Sequence, residues 1–128
     1  MEVKFFKCVH CGEMVISLVA KGGVPSCCGE MMQLLLPNTT DAATEKHVPV
    51  VEREADGKHI NVSVGSVPHP MTDDHYIQFV VLAHGVRFGV HKLSPTDEPA
   101  VRFAIKDNTV PFTVYEYCNL HGLWKTEA

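Results

Sequence analysis

The sequence lacks the features that would tie it to nucleic acid or to a membrane. It has no run of basic residues, and its formal net charge is −4 with the histidines neutral. Phosphate binding needs clustered lysine and arginine, so we expect no nucleic-acid partner. No apolar stretch approaches the roughly 20 residues of a membrane span, so we expect no membrane partner either.

The start of the chain also lacks the long apolar core of a secretory signal. Residues 1–12 read MEVKFFKCVHCG, which does not match a signal peptide. We therefore expect a soluble, cytoplasmic protein. The cysteines number five, which is odd. In a reducing compartment, cysteines serve as metal ligands or catalysts more often than as disulfides, and the odd count fits that use.

Helical patterns are scarce, and the sequence predicts an all-β protein. Short runs rich in Val, Ile, Phe and Tyr are separated by turn signals such as residues 55–58, ADGK. The predicted strands are residues 14–20, 59–64, 76–83, 86–90, 100–105 and 112–117. Short strands at this spacing favour a β-sandwich. One helical turn is predicted over residues 40–45, with Thr40 or Asp41 as its cap.

A domain boundary is predicted near Pro37, because the metal-binding residue types change there. Four of the five cysteines precede this proline, and most of the histidines follow it. A segment below about 40 residues usually needs a metal, disulfides or a partner chain to stay folded. We therefore predict a small metal-bound domain over residues 1–36 and a β-sandwich domain over residues 37–128.

The first candidate metal site is made of four cysteines. Cys8 and Cys11 form a C-x-x-C knuckle followed by a glycine, a spacing that directs two thiolates at one metal. Cys27 and Cys28 are adjacent, so the chain must bend to bring both inward, and a vicinal disulfide would be strained. Four thiolates indicate zinc or iron, and the spacing does not choose between them. A thioredoxin-type dithiol is disfavoured, because no βαβ pattern surrounds the motif.

The second candidate site combines histidines with the remaining cysteine. Five residues occupy predicted loops and strand ends, where functional residues collect on a β scaffold. They are His47, His69, His75, Cys118 and His121. Structural zinc takes four ligands, whereas five suit a six-coordinate metal with one position open for small-molecule chemistry. The other four histidines, His10, His59, His84 and His91, are interpreted as exposed or locally bonded.

Both clusters together resemble desulfoferrodoxin, the two-iron form of superoxide reductase. The resemblance rests on the cysteine spacing and on three motifs: residues 40–49 (TDAATEKHVP), 64–71 (VGSVPHPM) and 117–122 (YCNLHG). The first 36 residues are similar to a desulforedoxin domain. The remainder is similar to the neelaredoxin-like catalytic domain, an immunoglobulin-like β-sandwich. Pro68 departs from the family pattern, in which a small residue is expected before the ligand histidine.

The resemblance implies two iron ions per chain and a reaction. One iron is held by Cys8, Cys11, Cys27 and Cys28. The other has four equatorial histidines and one axial cysteine, namely His47, His69, His75, His121 and Cys118. Glu45 and Lys46 are implied to lie beside the open position. The implied reaction is reduction of superoxide to hydrogen peroxide by a homodimer, with rubredoxin or a similar protein as electron donor.

Two other functions remain open from the sequence. In the first, both irons only shuttle electrons, which predicts a second iron with no exchangeable position. In the second, zinc stabilises a binding module, which predicts a colourless protein without redox activity. The role of the first metal is also open, between relaying electrons and holding residues 1–36 together.

Overall fold

A computed structural model gives the fold of residues 3–128. Almost all of its regular structure is β-strand, so the predicted all-β class is confirmed. The chain divides into two compact units, Met1–Leu36 and Pro37–Ala128. Within residues 3–128, no helix is long and apolar enough to cross a membrane.

The first unit consists of two small antiparallel sheets. Its strands are β1 Lys4–Lys7, β2 Met14–Ser17, β3 Ser26–Cys27, β4 Glu30–Met31 and β5 Gln33–Leu35. The order is β2-β1-β5 in one sheet and β3-β4 in the other. The buried cluster of this unit contains Phe6, Cys8 and Met32, with Val15 and Cys27 packed against it. Two of these five residues, Cys8 and Cys27, belong to the candidate metal site, so that site is part of the core of the first unit.

The second unit is a sandwich of two antiparallel sheets. Its strands are β6 Pro49–Arg53, β7 His59–Val64, β8 Ile77–His84, β9 Arg87–Lys92, β10 Ala100–Ala104, β11 Thr113–Cys118 and β12 Gly122–Glu127. One sheet has the order β10-β7-β6 and the other β12-β11-β8-β9. Alternate residues of a strand face one side, and Ile60, Val62 and Val64 meet Val80 and Val114 between the sheets.

All six predicted strands overlap observed ones, but four strands of the first unit, β1, β3, β4 and β5, were not predicted. Residues 59–64 form β7 as predicted, and the strand predicted at 112–117 is shifted by one residue. Strands β6 and β12 escaped sequence analysis, because charged and polar residues interrupt their apolar pattern. The long run predicted at 14–20 ends at Ser17, and Leu18 and Val19 beyond it are exposed.

The predicted helical turn was wrong in position and in capping. The helix α1 spans Thr44–His47, its N-cap is Ala43, and no side chain caps it. Thr40 lies outside the helix and packs over Gly122, where an added Cβ would lie 2.9 Å from its hydroxyl oxygen. The helix therefore forms at the residues that carry the candidate site.

Candidate metal centres

The five donors of the second site come from loops and strand ends at one end of the sandwich. His47 ends helix α1, just before β6. His69 and His75 lie in the connection between β7 and β8, and Cys118 and His121 flank the turn between β11 and β12. The end of β7 pairs with the start of β6 at Val64 and Pro49, and the end of β11 pairs with the start of β8 at Cys118 and Ile77. The topology therefore gathers donors that are far apart in sequence.

The five donor atoms converge closely. Each lies within 4.8 Å of every other. His47 Nε2 is 3.2 Å from His69 Nε2 and 3.2 Å from His121 Nδ1. Cys118 Sγ is 3.9 Å from His121 Nδ1. This spacing is that of ligand atoms arranged around one ion.

The ring nitrogens of this site are oriented to bind a cation. His47 Nδ1 is 2.7 Å from the carbonyl oxygen of Ala43, and His69 Nδ1 is 2.7 Å from that of Pro70. A carbonyl only accepts, so both Nδ1 atoms carry the proton and both Nε2 atoms carry a lone pair. Those two lone pairs face each other at 3.2 Å. His75 Nε2 is also buried without a hydrogen-bond partner among residues 3–128. A metal ion satisfies all three nitrogens.

Burial keeps these side chains in the forms that suit metal binding. Burial lowers the pKa of His69 to about 4, and it is also the main cause of the lowered pKa of His47 and His75. The imidazoles are therefore neutral at neutral pH, as ligands must be. Burial raises the pKa of Cys118, while backbone N–H groups of Leu120 and His121 bond to its sulfur and lower it. Those N–H groups are suited to stabilise a thiolate.

Gly65 fixes the first two histidine-bearing segments against each other. Its φ is +79°, and a Cβ there would lie 2.6 Å from the carbonyl oxygens of Glu45 and Val67. The Val67 N–H also donates to the Glu45 carbonyl at 3.0 Å. Only glycine fits this approach without a shift of the backbone. The loop that leads to His69 is thereby fastened to the helix that ends at His47.

Glu45 and Lys46 lie on the exposed surface of the same helix. Both immediately precede the buried His47. Burial is the main cause of the lowered pKa of His75, and the positive charge of Lys46 contributes to a smaller extent. Lys46 thus presents a positive charge to solvent one residue before the buried His47.

Trp124 covers one face of the donor cluster. Its ring stacks on that of His47, with centroids 5.0 Å apart and an interplanar angle of 21°. Its indole N–H donates to the His121 carbonyl at 3.1 Å. The tryptophan therefore excludes water from His47 and orients the turn that bears His121. These contacts indicate that Trp124 supports the site and takes no part in its chemistry.

The four cysteines of the first unit also converge. Their sulfurs lie within 4.8 Å of one another. The distances are 3.6 Å between Cys11 and Cys27 and 3.9 Å between Cys27 and Cys28. Metal–sulfur bonds of about 2.3 Å in a tetrahedron place sulfurs about 3.8 Å apart. The site therefore has the dimensions of a tetrahedral four-thiolate centre.

The adjacent pair of cysteines reaches one metal through a left-handed turn. Cys28 has φ +53° and Gly29 has φ +76°, a conformation that turns the second side chain towards the first. All five cysteines of the chain are free. N–H groups of Cys11 and His10 bond to Cys8 and lower its pKa to about 6. The neighbouring thiols of Cys11 and Cys8 raise the pKa of Cys27 to about 12. A bound cation would favour the thiolate and so offset this rise.

A third cluster of metal-binding residue types is already satisfied by protein groups. It consists of Glu54, Asp56 and His59. His59 is bonded to Asp56 at 2.6 Å, and Glu54 forms an ion pair with Arg102. His10, in the cysteine knuckle, is likewise exposed and bonded to Glu30 at 2.7 Å. For His59 and His10, the interpretation as locally bonded histidines is confirmed.

A β-sandwich with a four-imidazole, one-thiolate cluster, preceded by a unit with a four-thiolate cluster, defines a class of two-centre non-haem metalloproteins. The desulfoferrodoxin family profile matches residues 39–127 of this chain. The chain belongs to the desulfoferrodoxin family, so the resemblance stated from the motifs is confirmed. Its four-cysteine group and its four-histidine, one-cysteine group match the two iron sites of desulfoferrodoxin.

Individual relatives agree with this assignment. The chain is 48% identical to desulfoferrodoxin of Nitratidesulfovibrio vulgaris, over 99% of this chain and 98% of the relative. It is 39% identical to superoxide reductase of Pyrococcus horikoshii, over 66% of this chain and 86% of the relative. The crystal structure of superoxide reductase from Treponema pallidum superposes with a TM-score of 0.80 at 36% identity, covering 98% of this chain and 99% of that one.

Proposed function

We propose that this protein is a superoxide reductase. The reaction adds one electron and two protons to superoxide and gives hydrogen peroxide. The observation that carries the proposal is the set of five convergent donors, in which buried lone pairs require a cation. Relatives that share the fold are named superoxide reductases. We assign catalysis to residues 37–128 and iron binding of the desulforedoxin type to residues 1–36.

The proposed ligands divide into two groups. His47, His69, His75, His121 and Cys118 would hold the catalytic iron, and Cys8, Cys11, Cys27 and Cys28 would hold the other. Iron held by the four histidines and Cys118 would supply the electron and a place for superoxide to bind. The buried imidazoles hold their lone pairs in place, and Trp124 excludes water from one side. The N–H groups of Leu120 and His121 stabilise negative charge on the Cys118 sulfur.

Glu45 and Lys46 are the proposed residues beside the open position. Superoxide is an anion and the protein carries a net charge of −4, so a local positive charge must overcome the overall field. Lys46 is exposed and directly precedes the buried His47. Its ammonium group attracts the substrate and organises a proton-bearing water. Glu45 is the proposed sixth ligand of the oxidised iron.

Lys46→Ala is expected to slow the reaction of the reduced protein with superoxide about tenfold at low ionic strength, the lower end of steering effects. The salt dependence of the rate should flatten, because salt screens steering. Pulse radiolysis at several ionic strengths measures both quantities. Lys46→Arg retains the charge and should retain most of the rate. Lys106→Ala removes an equal charge at the opposite end of the sandwich and serves as the matched control. An unchanged rate in Lys46→Ala would contradict this role.

The main alternative is an electron carrier whose two irons have no exchangeable position. The two functions differ in their response to small anions. Added azide or cyanide should change the absorption and paramagnetic resonance spectra of the catalytic iron in the oxidised protein, because one position is free or displaceable. Spectra that stay unchanged at saturating anion would favour the electron carrier. A colourless protein containing only zinc would favour the binding module instead.

We propose a rubredoxin-type electron donor, a homodimer and a cytoplasmic location. The family relation supports the donor. The small core of the first unit and the exposed apolar side chains of Leu18, Val19 and Met31 support a homodimer, since they leave apolar surface to be covered. Five free cysteines support a reducing compartment. Light scattering at micromolar concentration tests the dimer, and a monomer would contradict it.

A further inference from the structure

We infer that Asn119 is a positioning residue that sets His75 in the catalytic iron site. The inference rests on the proposed function, since it takes His75 as an iron ligand. Asn119 directly follows Cys118 and lies two residues before His121. It is therefore part of the peptide that carries two other donors. Nothing in the sequence pattern shows which residues an asparagine side chain bridges.

Three hydrogen bonds join Asn119 to the residues on either side of His75. The Tyr76 N–H donates to Asn119 Oδ1 at 2.9 Å, and Asn119 Nδ2 donates to the Asp74 carbonyl at 2.9 Å. The backbone N–H of Asn119 donates to the Tyr76 carbonyl at 3.3 Å. One amide side chain thus fastens the chain before and after the histidine. An amide is suited to this because it offers an acceptor and a donor at once.

These hydrogen bonds of Asn119 are here called the Asn119 clamp. His75 depends on this clamp more than His47 and His69 depend on their neighbours. His47 and His69 are each oriented by a bond from Nδ1 to a carbonyl. The buried Nε2 of His75 has no hydrogen-bond partner among residues 3–128. The orientation of its ring is therefore set by its backbone and by the edge-to-face contacts of its ring with those of His69 and His121. Besides the clamp, that backbone is held locally by paired bonds to Thr72, at 2.9 and 3.2 Å.

The strand ladder does not replace the clamp at this point. Strands β11 and β8 pair regularly up to Tyr117 and Phe79, and the register then shifts so that Cys118 pairs with Ile77. Tyr76 lies just beyond the last paired residue of β8. Its N–H is satisfied by the Asn119 side chain instead of by a strand. The irregularity thus frees the backbone to turn, and Asn119 fixes where His75 points.

Asn119→Ala is expected to weaken metal binding at the four-histidine, one-cysteine site about 10- to 100-fold, the usual effect of losing a residue that orients a ligand. Binding at the four cysteines should not change. Cobalt(II) is a suitable probe, because its absorption distinguishes a four-sulfur site from one rich in nitrogen. Competition with a chelator gives the affinity of each site in the full-length protein.

Asn108→Ala is the matched control. Asn108 is buried, and its Nδ2 donates to the carbonyls of Glu54 and His59 at 2.7 and 2.9 Å, at the opposite end of β7 from Gly65. The Asn108→Ala variant loses an asparagine side chain that bridges backbone groups in the same sandwich. It should therefore reproduce the loss of stability without changing the position of His75. Its cobalt affinity at the histidine site should equal that of the wild type.

A double-mutant cycle separates positioning from general support. If Asn119 acts only through His75, adding Asn119→Ala to His75→Ala causes no further loss of cobalt affinity. Losses that multiply in the double variant would overturn the inference. So would an Asn119→Ala variant with unchanged affinity. A wild type that binds cobalt only at the four cysteines would instead overturn the proposed function.

A measurement on the wild type covers the case in which the variant does not fold. The Tyr76 amide proton should exchange slowly in the wild-type protein, because Asn119 Oδ1 accepts its hydrogen bond. Exchange of this proton at the rate of an open chain, in a sandwich whose β8 amides remain protected, would show that the clamp is absent and would overturn the inference.

Discussion

Cys118→Ser is expected to abolish superoxide reduction and to leave the sandwich folded. Cys118 is fully buried at the end of β11 and supplies the one sulfur among the five donors of the proposed catalytic site. Serine has nearly the same shape, but its hydroxyl does not ionise near neutral pH and is a poor ligand for iron. Loss of a residue that only orients a ligand lowers activity up to about 100-fold. Loss of the ligand itself should lower the rate constant further. Pulse radiolysis of the reduced variant measures it.

The control for this variant lies in the other metal site. Cys11→Ser disrupts the four-cysteine centre, where Cys11 is exposed. It should leave the reaction of the reduced catalytic iron with superoxide unchanged, because a closed four-sulfur site has no place for substrate. Circular dichroism of Cys118→Ser should match that of the wild type. A folded, iron-loaded Cys118→Ser protein that retained the wild-type rate would contradict the proposed role of the thiolate.

Removal of metal from the four cysteines is expected to unfold the first unit and to spare the second. The buried cluster of the first unit contains Phe6, Cys8 and Met32, which is too little to offset the entropy of ordering so short a chain. Structural metal binding is worth about 10–16 kcal/mol in zinc-finger peptides, so its loss exceeds the stability of a small domain. Cys8→Ser removes the buried ligand and should have the same effect.

Amide hydrogen exchange resolved by residue measures this outcome. The amides of β1 and β2 should lose protection in Cys8→Ser, while those of β7, β8 and β11 keep it. Cys118→Ser is the reciprocal control and should leave β1 and β2 protected. If β1 and β2 stayed protected after the metal was removed, the first unit would be stable on its own and its iron would need another purpose, such as electron relay.

The sequence was sufficient for the fold class, and it pointed to the two groups of side chains that converge in the structure. Strand β7 was predicted to the residue because Ile60, Val62 and Val64 alternate cleanly with polar residues. Strand β12 was missed because its apolar residues, Leu123 and Trp124, are adjacent and are followed by charged ones. The helix was misplaced because Thr40 and Asp41 have capping chemistry, whereas Ala43 is the observed N-cap.

The contacts that position the donor side chains could not be predicted, because they join residues far apart in sequence. The close approach of Gly65 to Glu45 exists only in the folded chain. The same is true of the clamp between Asn119 and the residues beside His75. Pro68, the departure from the family pattern, is exposed. The neighbouring His69 still points Nε2 at His47, so the proline removes no donor.

The yield of hydrogen peroxide per superoxide consumed tests the central claim most directly. The reduced, iron-loaded protein is mixed with a measured amount of superoxide below its own concentration, and peroxide and oxygen are then quantified. A reductase gives one peroxide for each superoxide, releases no oxygen and oxidises one catalytic iron each time. One peroxide for every two superoxides, with oxygen released, would identify a dismutase. No peroxide above the uncatalysed background would contradict catalysis at this site.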